Sequence, residues 1–293
     1  MKVSVITTVW NVEPYIEKTI RSIINQTLED IELVLVNDCS PDNSIDILNK
    51  YADHPKVKII NNGVNLGPGV SRQIGLDNST GEFTIFVDGD DYLELDCLEV
   101  MYNEAIAQNA DIISCKTYQH NDYGVVKNIP TDYVYTKVDF YNFINNKLIK
   151  RWIWSKTHYS PLRFREDINT LFRCLEFSNN TIKLNYIGYH YVFRPNSLTT
   201  TPNIAGKSYL YNALAAIENI NFIKENNIEA SSLFKRYYNN FNVSSMYNIA
   251  KRILKDDINN YTEEVNVIET YIDENKKDRK GFIFEFMNKF NKK

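Results

Sequence analysis

What this chain lacks narrows it first. Cysteine is sparse, four among 293 residues, and Cys39, Cys97, Cys115 and Cys174 lie far apart with no C-x-x-C pair. That spacing argues for reduced, mostly buried thiols and against a disulfide framework or a zinc site. The four histidines are equally scattered, which argues against a His-rich metal cluster. Positive charge is not in excess: a net charge of −4 leaves no whole-chain footprint for nucleic acid. No window holds eighteen apolar residues, so no stretch reads as a membrane-spanning helix. The start runs from Met1-Lys2 into "VSVITTVWN", too short and too quickly polar for a signal peptide. Sequons such as Asn78-Ser79-Thr80 therefore carry no weight, and the chain reads as cytoplasmic. No internal repeat and no Pro/Ser-rich linker divides it.

What is present is the composition of a folded protein. Hydrophobic residues at 43% and charged residues at 24% suffice for one large or two modest domains with a sizeable core. The first 115 residues alternate strand and helix patterns. Val3 to Thr7 is a continuous β-forming run, and "NVEPYIEKTIRSIINQ" then sets Ile16, Ile20 and Ile23/Ile24 at helical spacing. Asn11 suits a cap for that helix and Pro14 its first turn. "IELVLVND", "KVKII", "EFTIFVD" and "ADIISCK" read as further strands, separated by helices at "DNSIDILNKYA", "GPGVSRQIGLDNS" and "LDCLEVMYNEAIAQN". Such alternation predicts βαβ units, a mostly parallel sheet and an α/β fold. From about Gly206 only helical spacing remains, at Leu210, Leu214, Ile217, Ile220 and Ile223 and again around Leu233/Phe234, Tyr237 and Phe241. The expected organisation is an α/β domain over 1–205 and a helical region over 206–293.

Open α/β sheets bind ligands beyond the carboxyl ends of their strands. Each strong strand here ends in polar groups at that edge: Thr8 and Asn11, Asp38, Asn61 and Asn65, then Asp88 and Asp90. Within "EFTIFVDGDDYLE", Asp88, Asp90 and Asp91 crowd into four residues where a buried strand ends. Two carboxylates about 5 Å apart repel by roughly 3 kcal/mol at an effective dielectric near 20. Residues two apart in an extended chain point the same way, so Asp88 and Asp90 can address one object. A divalent cation held through oxygen would turn the repulsion into binding, its shell completed by water and phosphate. A solvated acidic turn capping the next helix near Asp96 explains the same three residues equally well. An EF-hand loop is excluded, because Tyr92 and Leu93 stand where it needs an oxygen ligand and a glycine. "NLGPGVSRQIG" is neither a Walker loop nor a proper dinucleotide fingerprint, although Arg72 sits one turn into its helix near the same edge.

Taken together, these blocks resemble the family-2 glycosyltransferases. "VSVITTVWNVEPYIEKTIRSIINQTLEDIELVLVNDCSPDNS" is similar to their opening, and "NLGPGVSRQIGLDNSTGEFTIFVDGDDYL" to their next block. "RFREDINTLFRCLEFSNNTI" and "YHYVFRPNSLTT" resemble two later segments, so the likeness covers about two thirds of the chain. It implies a GT-A-type nucleotide-binding sheet sandwiched by helices, with a nucleotide-sugar half over about 1–115 and an acceptor half over about 116–205. It also implies an inverting transferase that takes a sugar from a nucleotide diphosphate, UDP favoured, with Mn2+ or Mg2+. Carried over by position, Asp38 would meet the uracil edge beside Trp10, and Glu13 the ribose. Arg72 would lie near the base or diphosphate. Thr8, Asn65, Gly67 and Gly89 fall in the same nucleotide-binding set. Asp88 and Asp90 would form the D-x-D pair, with Asp90 the direct metal ligand. Asp167 would be the general base, and Arg194 and Ser197 would hold the diphosphate. The chain departs from the pattern at Thr8, Trp10 and Asn37, and at Ser71 and Gln73 beside Arg72.

Several positions keep two readings. Glu166-Asp167 could be a helix-start acidic pair complementing the macrodipole. Trp152 and Trp154 could pack or could stack on a sugar. Cys39 reads as a small turn residue. The tail over 276–293, rich in lysine and phenylalanine, suits either an anionic membrane surface or a final packed helix. Two other functions compete: a haloacid-dehalogenase-type phosphatase, which also uses D-x-D, and a sugar- or nucleotide-binding module without turnover. The expected acceptor is a glycan or lipid-linked hydroxyl in bacterial surface-polysaccharide synthesis, with no nucleic acid involved.

Overall fold

The computed structural model describes residues 1–121, 144–194, 197, 204–228 and 243–274. The expectations for 233–241 and for the basic tail lie outside these residues. The chain falls into two compact units, Met1–Ser197 and Leu198–Lys293.

The first unit is built on one eight-stranded sheet. Its strands are β1 (Val3–Val9), β2 (Ile31–Asn37), β3 (Val57–Asn61), β4 (Phe83–Phe86), β5 (Tyr92–Leu93), β6 (Ile112–Asn121), β7 (Lys147–Lys150) and β8 (Thr181–Phe193). They lie in the order β3-β2-β1-β4-β7-β6-β8-β5. The β3, β2, β1 and β4 pairings are parallel, and β6 runs parallel to β8. Strand β7 is antiparallel to both β4 and β6, and β5 is antiparallel to β8. The helices are α1 (Glu13–Ile24), α2 (Ser44–Asn49), α3 (Pro68–Asp77), α4 (Cys97–Ala107), α5 (Arg151–Trp154) and α6 (Glu166–Phe177).

Both faces of the central strands are covered, which is why they read as near-continuous apolar runs. Val3, Val5 and Val9 of β1 pack on one face with Ile16, Ile20 and Ile23 of α1 and with Leu98 and Met101 of α4. Ile6 of β1 and Phe86 of β4 face the other way, onto Leu76 of α3 and Leu171 of α6. Each fully buried aliphatic side chain contributes about 1.5–3 kcal/mol. Helix α3 lies close to the sheet because residue 75 is glycine: a Cβ there would come 2.4 Å from Ile6 Cγ2. Trp152 and Trp154 also settle as packing residues. Their indole N–H groups donate inward, to Asp111 Oδ1 at 3.1 Å and Thr84 Oγ1 at 2.7 Å.

Two local expectations are corrected. The cap position of α1 is Val12, not Asn11, and the N–H of Glu13 is satisfied from afar by Asp42 Oδ2 at 2.8 Å. Asn11 instead adopts a left-handed conformation, φ 54°. The sheet is also wider and less parallel than the sequence patterns indicated. Strand β8 was the largest omission, although Ile182, Leu184 and Tyr186 alternate strictly with polar residues there.

The second unit, in its described part, contains α7 (Ile204–Glu225), α8 (Val243–Leu254), a 3-10 turn over Lys255–Tyr261 and α9 (Thr262–Glu274). Gly206 permits α7 to approach α8 closely, since a Cβ there would sit 2.7 Å from Leu254 Cγ. Tyr211 of α7 donates to Glu264 Oε1 of α9 at 2.7 Å. No helix among the described residues is long and apolar enough to cross a membrane.

Candidate active site

Strand β1 is the switch point of the sheet: β2 and β3 extend from one side of it and β4 from the other. In such sheets the crevice beyond the carboxyl ends, where the winding reverses, is the ligand site. The loop after β4 reaches this crevice as a tight turn, closed by the Asp91 N–H on the Asp88 carbonyl at 3.0 Å. Gly89 lets the turn pass close over β1, where an added Cβ would lie 3.0 Å from the Thr8 carbonyl oxygen. From below, the buried Thr19 hydroxyl of α1 lies 2.9 Å from the Gly89 carbonyl oxygen and 2.7 Å from that of Asp91.

The three aspartates bring carboxylate oxygens within 4.8 Å of one another, and each has a different environment. Asp91 is 1% exposed and accepts from the Tyr189 hydroxyl at 2.5 Å and the Val192 N–H at 2.8 Å. Burial, with Asp90 and Asp88 nearby, pushes its carboxyl well above the usual range. Both of its oxygens are committed, so Asp91 anchors the loop to β8. Asp90 Oδ2 accepts from Arg194 Nε, and the Arg194 guanidinium lies over the Tyr15 ring at 5.7 Å. Burial raises the Asp90 carboxyl, Asp88 adds to the rise and Arg194 opposes it. Asp88 Oδ1 accepts from Arg72 Nη2 at 2.6 Å. Asp88 and Asp90 thus each keep one oxygen outside their arginine pairs. Hard oxygen donors gathered at this edge of the sheet fit Mg2+ or Mn2+, which need only one or two carboxylates.

Arg72, 6% exposed, also donates through Nη1 to Glu166 Oε1 at 2.6 Å. Glu166 and Asp167 open α6, directly after Arg165 in a left-handed conformation, φ 64°. Burial pushes Glu166 up to about 7 against the pull of Arg72, and Asp167 adds to the rise. Burial likewise raises Asp167, opposed by Arg72 and by the Ile168 N–H. Asp167 itself remains partly exposed.

The remaining predicted residues form a separate group around β2 and the loop before α3. Asp38 is 3% exposed, and its carboxylate accepts from Asn62 Nδ2 at 2.9 Å and from the Leu66 and Gly67 N–H groups at 2.8 Å. Its observed partners therefore belong to the loop it holds. Gly67 takes φ 88°, a conformation that suits glycine. Asn65 Oδ1 accepts from Arg163 Nη1 at 3.0 Å, and the Glu13 carboxylate accepts from the Asn43 amide at 3.1 Å. Trp10 is 44% exposed at the crevice edge, Thr8 and Ser197 are partly buried, and Cys39 is exposed in a left-handed turn, φ 55°. The structure adds Thr19, Tyr189 and Glu166 to the residues that shape the site. For Thr19 the available signal was a polar residue on the apolar face of an amphipathic helix.

Comparison with known proteins supplies the context. The model of glycosyl transferase family 2 matches residues 4–172. "Uncharacterized glycosyltransferase EpsJ" of Bacillus subtilis is 31% identical over 219 residues, covering 68% of this chain and 63% of that protein. The poly(ribitol-phosphate) beta-glucosyltransferase of Bacillus spizizenii is 30% identical over 249 residues, 80% of this chain and 39% of that protein. The chain thus spans less than two thirds of the length of these curated relatives. Among solved structures, S. aureus TarS 1-349 in complex with UDP-GlcNAc has a TM-score of 0.64 at 24% identity, covering 74% of this chain and 66% of that one. The mannosyltransferase PcManGT from Pyrobaculum calidifontis, in complex with GDP-Man and Mn2+, has a TM-score of 0.59 at 15% identity, covering 86% and 74%. These matches overturn the phosphatase alternative.

Proposed function

The chain belongs to glycosyl transferase family 2 and has the GT-A fold, and from that premise we propose that it transfers a sugar, with inversion, from a nucleotide diphosphate to an acceptor hydroxyl. The observation that carries the reading is the convergence of Asp88, Asp90, Arg72 and Arg194 with the Glu166-Asp167 helix start at the switch point of the sheet. UDP is the favoured nucleotide, supported by the UDP and UDP-GlcNAc complexes of TarS. A glycan or lipid-linked acceptor in surface-polymer synthesis is supported by the poly(ribitol-phosphate) transferases among the relatives. We place the reaction at the cytoplasmic face of the membrane, with the tail over 276–293 as the contact.

Asp167 receives the proton of the acceptor hydroxyl, which must lie within about 3 Å of its carboxylate. The freed oxygen attacks the anomeric carbon from the face opposite the diphosphate, and the bond from that carbon to the phosphate oxygen breaks. Arg194, which closes on Asp90 here, would turn its guanidinium to the departing phosphate. Asp88 and Asp90 would hold a Mn2+ or Mg2+ ion, which supplies Lewis-acid stabilisation of the leaving diphosphate. Trp10 would present its exposed ring to the base, and the Asp38-held loop with Asn65 and Gly67 would frame the nucleotide. Binding two substrates in line supplies a further large part of the rate.

The test is thermal unfolding with UDP, GDP and CMP, each with and without manganese. Ligand at 100 times its dissociation constant adds about 2.7 kcal/mol. The expected result is a rise with UDP that grows when manganese is present. No shift with any nucleotide would sink the reading.

A further inference from the structure

The groups that handle the donor and the group that handles the acceptor come from distant parts of the chain. Asp88 lies in the turn after β4 and Asp167 in the first turn of α6, and these two elements do not neighbour each other in sequence. One side chain spans the gap. Arg72 donates to Asp88 at 2.6 Å through one arm and to Glu166 at 2.6 Å through the other. The guanidinium is planar, so the separation of its two arms is fixed, whereas a lysine would bring a single flexible ammonium in place of that rigid fork. Tyr159 lies against it, ring centroid 5.4 Å away and 2% exposed, and closes that side to water.

The helix that carries Arg72 is itself locked. A Cβ on Gly69 would sit 2.0 Å from the Ser160 carbonyl oxygen, so α3 touches the segment before α6 at backbone distance. Gln73 Oε1 accepts from the Tyr159 N–H at 2.6 Å. That segment then grips α6: the Ser160 N–H donates to Thr170 Oγ1 at 2.8 Å, and the Thr170 hydroxyl donates to the Glu166 carbonyl at 2.7 Å. The contacts close a ring through Arg72, Glu166, Thr170, Ser160 and α3, with Asp88 tied to it through Arg72.

We propose that Arg72 and Glu166 are positioning residues, a buried strut that sets the spacing between the donor-side carboxylates and the base Asp167. Glu166 is buried, and its carboxylate is turned to Arg72. Its work is to hold the first turn of α6 at the distance the Arg72 fork dictates. The inference rests on the transferase reading for its functional half, whereas the strut itself is a property of the folded chain.

The experiment uses the full chain as Arg72→Lys, Glu166→Ala, Glu166→Gln and the double variant Arg72→Lys/Glu166→Ala. UDP binding is followed by calorimetry with and without manganese, unfolding by calorimetric scan, and turnover by UDP release from UDP-sugars. A displaced base costs rate: Arg72→Lys and Glu166→Ala should each lower kcat about 100-fold. In the Glu166 variants the donor KM should stay within about threefold, because Glu166 stands at the end of the strut away from Asp88 and Asp90. The double variant should be no slower than the slower single one, and Glu166→Gln, which keeps an oxygen for Arg72, should recover at least tenfold of the loss. Multiplying losses, no rescue by glutamine, or an unchanged kcat in Glu166→Ala would overturn the strut. The unfolding midpoints give a second reading that needs no nucleotide: shifts that fail to add support the strut, and additive shifts overturn it. If the wild type bound no nucleotide, the transferase reading would fall while these midpoints still decided the strut.

Discussion

Glu166 and Asp167 bear on pH dependence through the same cause, burial at the start of α6. A base must be ionised to accept a proton, and burial makes ionisation harder. Turnover should therefore fall on acidification with a midpoint above the value of about 3.9 of an exposed aspartate. A pH–rate profile that stays flat down to that value would refute this. The sign for stability is the reverse of the usual carboxylate case. Glu166 goes from an ordinary 4.5 to about 7 on folding, so its contribution is full below pH 4.5 and is lost as pH rises through about 7. At the same scale, Thr19→Val keeps the shape of the side chain but removes the only hydrogen it can offer the Gly89 and Asp91 carbonyls. Loss of a buried hydrogen bond costs about 1–3 kcal/mol, measurable by denaturant unfolding. A neutral result would show that the acidic turn is held by β8 alone. The aspartates themselves were legible, since their crowding is local. Thr19 and Tyr189 were not, because each meets the turn across a long span of chain, and the blocks that contain them carry no local sign of that contact.

The decisive elements are α3 and β8. Helix α3 is placed by what two of its residues lack, and Gly69→Ala tests this. The new methyl would collide with a backbone carbonyl, which cannot swing aside as a side chain can. Overpacking of this kind costs about 1–3 kcal/mol, and the shift of Arg72 should reduce kcat as well. An alanine variant with wild-type melting temperature and rate would show that α3 tolerates the displacement. Strand β8 delivers Tyr189 and the Val192 N–H to Asp91, and Arg194 at its end to Asp90. The strands β1, β2 and β4 were legible because burial on both faces makes them mostly apolar. β7 is short and bears Lys147, and β8 is half exposed, so neither shows such a run. The alternation in β8 would have revealed it.

For the whole molecule, the sheet order brings the ends of β1, β2, β3 and β4 to one edge, and that much followed from strand–helix alternation. The ring of contacts through Arg72 did not, because it depends on the antiparallel return through β7 and on α5 and α6 behind it. The same edge also holds the sole exposed thiol. Cys97, Cys115 and Cys174 are buried, whereas Cys39 is exposed in its left-handed turn beside Asp38. The chain therefore carries its own reporter group, needing no engineered label. A maleimide dye should modify the native protein at one position, and saturating UDP should slow the reaction by covering it. Labelling that proceeds at the same rate with and without UDP would place the nucleotide elsewhere. A donor screen could then be run by fluorescence on the wild-type chain, before any acceptor is known.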